Sequence, residues 1–222
     1  MKNLKIPVEL LLASASPRRR QIVQLLGLPC ITAVVSDDEE EAQARYTGPT
    51  EQMATWLAKH KAAAALKLPE AAGRLVITAD TTVLLESQVL GKPRDKAHAF
   101  ELLQTLRGRW HHVVTGVVVC THHEGKTMMH SANCVTPVRM RHYSDAEIGE
   151  YIASGDPLDK AGAYGIQHPA FQPTAEIDGC YFNVVGLPLC TVTDLLAEFE
   201  VYPARQHLRA DTACPWSEKC HI

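Results

Sequence analysis

The chain has 222 residues, 46% hydrophobic and 21% charged, which excludes wholesale disorder and is enough for a sizeable buried core. Lys and Arg number 22 against 25 Asp and Glu, a net charge of −3, so the basic field of a duplex nucleic-acid binder is absent. No apolar run approaches the roughly 18 residues of a membrane span. The opening Met1-Lys2-Asn3-Leu4 does not read as a secretory signal, and seven scattered cysteines do not make a disulfide framework. A cytoplasmic protein with reduced thiols is expected.

In chain order, residues 9–13 (ELLLA) read as a buried strand. Ser16 and Pro17 suit a helix N-cap and first position, Ile22, Val23, Leu25 and Leu26 form an apolar stripe, and Gly27 stops the helix. Residues 30–35 read as a second strand. The five carboxylates from Asp37 to Glu41 must meet solvent or a cation. Thr50 and Met53 begin an alanine-rich helix to Leu66, with Lys61 on a polar face. An apolar strand over 75–78 breaks at Ala79-Asp80-Thr81-Thr82 and resumes over 83–85.

Gly91-Lys92-Pro93 reads as a loop and Asp95 as the cap of a helix to Leu106. Residues 112–119 and 127–140 read as long strands joined at Glu124-Gly125. Ser144 and Glu147 form a capping-box pattern for a helix ending near Ser154. A glycine-bearing loop over 155–167 precedes a final strand over 180–185 and a last helix to Glu200. The mixture predicts a mixed-sheet α/β fold. One domain over residues 1–202 and a mobile tail over 203–222 are expected; Cys214, Cys220 and His221 in that tail lack the spacing and fourth ligand of a zinc site.

Three segments carry candidate chemistry. Ser14-Ala15-Ser16-Pro17-Arg18-Arg19-Arg20 joins a strand to a helix whose first turn holds three guanidinium groups, donors matched to phosphate oxygens. Asp80, at an expected strand end beside hydroxyls, suits a general base or a metal ligand. Gln167 ends the loop Asp159-Lys160-Ala161-Gly162-Ala163-Tyr164-Gly165-Ile166-Gln167 and offers the donor and acceptor that reading a base edge requires. Each has an ordinary reading as a surface turn or a loop, and neither dinucleotide-binding nor P-loop motifs occur.

Together with Ala79-Asp80-Thr81, Gly91-Lys92-Pro93-Arg94-Asp95 and Asn183-Val184-Val185-Gly186-Leu187-Pro188, these segments resemble the ordered motifs of the Maf family over residues 9–200. The resemblance implies an elongated mixed sheet related to ITP pyrophosphatases, with two lobes around a cleft. It implies a cytosolic enzyme, with Mg²⁺ or Mn²⁺, that cuts a nucleoside triphosphate to monophosphate and pyrophosphate, and it suggests a homodimer.

By the same resemblance Asp80 is the catalytic proton acceptor and, with Glu39, a metal ligand. Ser16, Arg18, Arg19, Lys61 and Lys92 belong to the substrate's phosphate site, and Ser14 also binds substrate. Arg18, Thr81 and Gln167 match the branch that prefers dTTP and UTP over N7-methyl-GTP. The alternatives are that N7-methyl-GTP branch and a non-catalytic nucleotide-binding regulator of cell division, in keeping with the family's association with septum formation. His168 replaces a usual glycine, and Cys180 a usual serine.

Overall fold

The computed structural model describes residues 9–35 and 39–203, apart from the side chains of Glu39 and Glu40. Among the described residues seven strands form one mixed sheet: β1 (Leu10–Ala13), β2 (Cys30–Ala33), β3 (Leu75–Leu85), β4 (Gln88–Leu90), β5 (Trp110–His123), β6 (Lys126–Met140) and β7 (Thr174–Ile177). The spatial order is β2-β1-β3-β5-β6-β7, with β4 paired to β3. β1 lies parallel to β2 and β3, whereas from β3 through β5 and β6 to β7 each strand runs antiparallel to the next.

Helix α3 (Met53–Ala65) covers one face, packing Ala58, Ala62 and Ala65 on Leu11, Val76 and Val118. The other face carries two apolar clusters. One gathers α1 (Pro17–Val23), α6 (Tyr181–Val185) and α7 (Leu189–Ala197) over Ile77 and Val117. The second gathers α4 (Lys96–Leu106) and α5 (Asp145–Ala153) over Val113 and Val138.

The local signals hold where a side chain caps its own helix. The Ser16 hydroxyl accepts the Arg19 N–H, Asp95 accepts the His98 N–H, and Ser144 and Glu147 cap each other's backbone. Gly27 ends the first helical segment in a left-handed conformation, φ 66°. Glu124 and Gly125 turn the long hairpin.

The carboxylate run, expected to meet solvent or a cation, is in part a helix, α2 (Glu39–Arg45), whose Ala42 is buried with Met53 and Leu57 while Glu41 is exposed and paired with Arg45; Asp37 and Asp38 lie outside the described residues. Two expectations fail. Residues 180–185 form no strand: Tyr181–Val185 is α6, capped by Cys180 and stopped by Gly186 at φ 117°. Asn183 decides that conformation, because its buried amide donates to the Val113 carbonyl and the Thr136 hydroxyl. Nor does the strand break at Ala79-Asp80-Thr81-Thr82, since β3 is continuous for 11 residues. The expected tail lies outside the described residues from 204 onward, with Cys214, Cys220 and His221.

Candidate active site

The continuity of β3 creates the site. On one edge β3 pairs with β1 over Leu75 to Ile77 and with β4 over Val83 to Leu85. Residues 78–82 lie between these two partners, so the sheet has a notch there, with Asp80 at its centre. Asp80 is therefore in mid-strand rather than at a strand end, and it is only 4% exposed.

Its position opposite Gly116 on β5 matters. A Cβ on Gly116 would overlap the backbone of Ala54 and Thr55, so glycine lets α3 settle directly on the sheet. Lys61 lies two turns farther along, in register with Ala54 and Ala58 on the buried face. It is not on a polar face as expected: its side chain is 13% exposed and its ammonium donates to the Asp80 carboxylate at 2.5 Å. Leaving either member of such a buried pair uncompensated is costly, so each fixes the other's orientation.

The adjoining wall is the β1–α1 turn. The Ser14 side chain accepts the Ser16 N–H at 3.2 Å, and Ser16 caps α1. Of the three arginines expected at an anion site, Arg20 points outward and bonds the Ala15 carbonyl. Arg19 donates to the carbonyls of Gly186 at 2.7 Å and Ala79 at 2.8 Å and to the Thr81 hydroxyl at 3.0 Å. It ties α1, β3 and the end of α6 together beside Asp80. Thr81 also shares a hydrogen bond with Thr115.

The facing wall is the loop after α5. Tyr151 donates to Asp156 at 2.6 Å and accepts the Gly165 N–H at 2.9 Å. Lys160, buried, bonds both the carboxylate and the carbonyl of Asp156 and the carboxylate of Asp159. Burial works against ionised Asp156, but the bonds from Tyr151 and Lys160 outweigh it and hold the carboxyl below its ordinary range. The glycines around Tyr164 serve this packing. Gly162 is left-handed, φ 68°, and a Cβ on Gly165 would press on Lys160 and stand 3.4 Å from the Arg18 guanidinium. This buried Tyr151–Asp156–Lys160 network was not legible among the candidate residues. Its only sequence signal is the Asp-Lys-Ala-Gly motif.

The walls enclose a cleft of about 670 Å³, the size of a small-molecule site. Ser14, Ser16, Arg18, Arg19, Lys61, Asp80, Thr81, Lys92 and Gln167 all line it. Among the described side chains the lining cations are Arg18, Arg19, Lys61, Lys92 and Lys160, against Asp80, Asp156 and Asp159. That excess of positive charge suits a polyphosphate. Gln167 is exposed at the rim, close in sequence to the Gly165 that neighbours Arg18. Glu39, the second expected metal ligand, begins α2, but its side chain lies outside the described residues.

The family profile described as Maf-like protein matches residues 9–199. This chain belongs to the Maf family. A dTTP/UTP pyrophosphatase of Moorella thermoacetica is 46% identical to this Maf protein over 194 residues, 87% of the chain and 96% of that relative. Proteins of the same name from Chlorobaculum parvum and Thermomicrobium roseum are 43% and 42% identical, covering 83% and 85% of the chain and 90% and 83% of their own lengths. No helix among the described residues is long and apolar enough to cross a membrane.

Proposed function

We propose that this Maf protein is a hydrolase that cuts dTTP and UTP to the monophosphate and pyrophosphate, with Asp80 as the proton acceptor. The observation that carries the reading is the Asp80–Lys61 pair in the notch of β3, facing a cation-lined cleft. Asp80 takes the proton of a water attacking the α-phosphorus. The bond from Lys61 holds the carboxylate in place for that transfer. Arg18 and Lys92 attract the triphosphate and stabilise negative charge that grows on the departing pyrophosphate, the largest contribution in such reactions. Arg19, bound to three protein acceptors, keeps the floor of the site in register. Gln167, with Arg18 and Thr81, reads the pyrimidine edge through its paired donor and acceptor.

The donor set fits a hard divalent ion. Asp80 supplies a carboxylate oxygen, and no group of three His, Cys, Asp or Glu among the described residues forms a cage. Mg²⁺ is typically held by one or two carboxylates plus substrate phosphates. Asp80 would hold it, with Glu39 as the second ligand, and the bound ion would supply an acidified water and charge neutralisation on the phosphates.

The reading includes a single two-lobed domain over residues 1–202, a cytoplasmic setting and a homodimer. Incubation with UTP and Mg²⁺ tests the reaction: pyrophosphate and UMP appear, and EDTA stops their release. Free phosphate as the first product would place attack at the γ-phosphorus and overturn the reaction class. Light scattering checks the dimer.

A further inference from the structure

One face of the sheet holds a cluster of thiols that this reaction does not use. Thr81 pairs with Thr115, and Thr115 with Cys134, so the three stand in a row across β3, β5 and β6. Helix α6 lies over that row. The Asn183 carbonyl accepts the Thr115 hydroxyl at 3.0 Å, and its amide bonds Thr136 at 2.8 Å. Cys180, which opens α6, accepts the Asn183 N–H on its sulfur at 3.4 Å, and its carbonyl accepts the Thr136 hydroxyl at 3.4 Å. On the same face of β6, two residues from the Thr136 that bonds the Cys180 carbonyl, the Cys134 thiol has Cys180, Thr136 and Thr191 within reach, and Cys190 lies near enough to repel its thiolate. Cys134, Cys180 and Cys190 are all half-buried.

The bond with Cys180 outweighs burial and lowers the Cys134 pKa. Burial pushes Cys120 up to about 12 and also raises Cys30. Of Cys30, Cys120 and Cys134, thiolate character is thus favoured at Cys134, which meets a second thiol at Cys180. No three-ligand metal arrangement occurs among the described residues, so sulfur oxidation is the chemistry that this pair suits.

We propose that Cys134 and Cys180 form a dithiol oxidised by hydrogen peroxide to a disulfide that joins β6 to the start of α6 and slows turnover. The Cys134 thiolate attacks one peroxide oxygen, the O–O bond breaks, and the departing hydroxide takes a proton to become water. The Cys180 thiolate then attacks the resulting sulfenic sulfur, forming the S–S bond and expelling a second hydroxide, which also leaves as water. Two thiols lose two electrons, and one peroxide gains them.

An S–S bond of about 2.05 Å draws the sulfurs well inside hydrogen-bonding distance and pulls the first turn of α6 toward β6. The far end of α6 reaches Gly186, whose carbonyl holds Arg19, while Thr115 beneath α6 bonds Thr81 beside Asp80. Displacement of α6 therefore reaches the floor of the cleft through contiguous packed groups. The effect on turnover rests on the pyrophosphatase reading, whereas the cross-link does not.

The test treats the reduced full-length protein with excess hydrogen peroxide, followed by proteolysis without reductant and peptide mass mapping. The expected product is a Cys134–Cys180 linked peptide pair, reversed by dithiothreitol. UTP turnover should fall about threefold or more on oxidation and recover on reduction. Cys134→Ala and Cys180→Ser should each abolish the link; the serine keeps an acceptor for the Asn183 N–H, so at least one variant retains the α6 cap. Cys134 carried to sulfinic or sulfonic acid without a partner, a Cys134–Cys190 link, or no reaction would overturn the dithiol. A disulfide with unchanged turnover would overturn its coupling to the cleft. Absence of UTP turnover before oxidation would strike the pyrophosphatase reading alone, and the peptide map would still decide the thiol chemistry.

Discussion

On the Asp80 wall of the cleft, the proposed functional side chains project from regular elements: Asp80 from mid-β3, Lys61 from α3 and Arg19 from α1. On the facing wall, Gln167 follows two short helical turns, Asp156–Asp159 and Ala161–Ala163, whose support comes from side chains beneath them. Tyr151 holds Gly165 from below, and buried His111 meets the Tyr164 hydroxyl at 2.6 Å. The difference separates two tasks. Proton and phosphate chemistry needs atoms fixed by backbone hydrogen bonding and close packing, since small misplacements cost large factors in rate. Recognition of a base edge needs only a loop backed by a rigid layer. The Asp80 wall should accordingly govern rate and, through Arg18 and Thr81, share in base reading, whereas Gln167 on the facing wall should govern selectivity alone.

Asp80→Asn should break the first wall most severely. The change is nearly isosteric and removes the proton acceptor, so pyrophosphate release should drop at least ~100-fold. Circular dichroism should remain that of the wild type. A folded variant with near-normal release would exclude Asp80 as the base.

Gly116→Ala tests the same wall without touching a cleft-lining residue. The methyl group must displace the backbone of Ala54 and Thr55, which costs about 1–3 kcal/mol as overpacking. The shift carries Lys61 away from Asp80, so the maximal rate should fall by at least ~10-fold alongside a lower urea midpoint. A destabilised variant with unchanged turnover would mean that the register of α3 on the sheet does not set the site.

Gln167→Ala sharpens the comparison from the other side. The wild type should favour UTP over N7-methyl-GTP by at least ~10-fold in kcat/KM, equivalent to about 1.4 kcal/mol. The variant should compress that ratio more than it lowers the maximal rate on UTP. Equal loss on both substrates would move Gln167 out of base reading.

The smallest expected effect concerns pH. Burial, with a lesser contribution from His112, lowers the His111 pKa from 6.5 to about 3. Its folded-state pKa lies below the unfolded one, so the unfolded chain takes up a proton first as pH falls through 6.5. Stability is therefore full above that value and declines toward pH 3. Between pH 7.5 and 5.5 the loss should reach at most about 1.4 kcal/mol. His111→Gln should flatten the urea-midpoint profile across this window. Glu147, held at about 2 against an ordinary 4.5, adds its own loss only at lower pH. An unchanged slope in the variant would remove His111 as its source.

The sequence by itself determined what neighbouring residues can settle. Ser16, Asp95 and Ser144 cap helices because their side-chain oxygens reach N–H groups three residues away. The alternation of the long hairpin and the turn at Glu124-Gly125 are likewise local. The ordered motifs carried the family and its reaction, because they bring catalytic residue types in a fixed sequence. Tertiary structure decided the rest. The apolar run at Tyr181–Val185 has strand chemistry, yet Asn183 and the sheet beneath it impose a helix. Thr174–Ile177 pairs with β6 at the sheet edge instead. Lys61 reads as solvated until Gly116, 55 residues away, admits α3 to the sheet and brings the ammonium onto Asp80. The notch itself depends on where β1 ends and β4 begins along β3. Such facts belong to register between distant segments, set when packing and backbone pairing are satisfied together rather than by any window of residues.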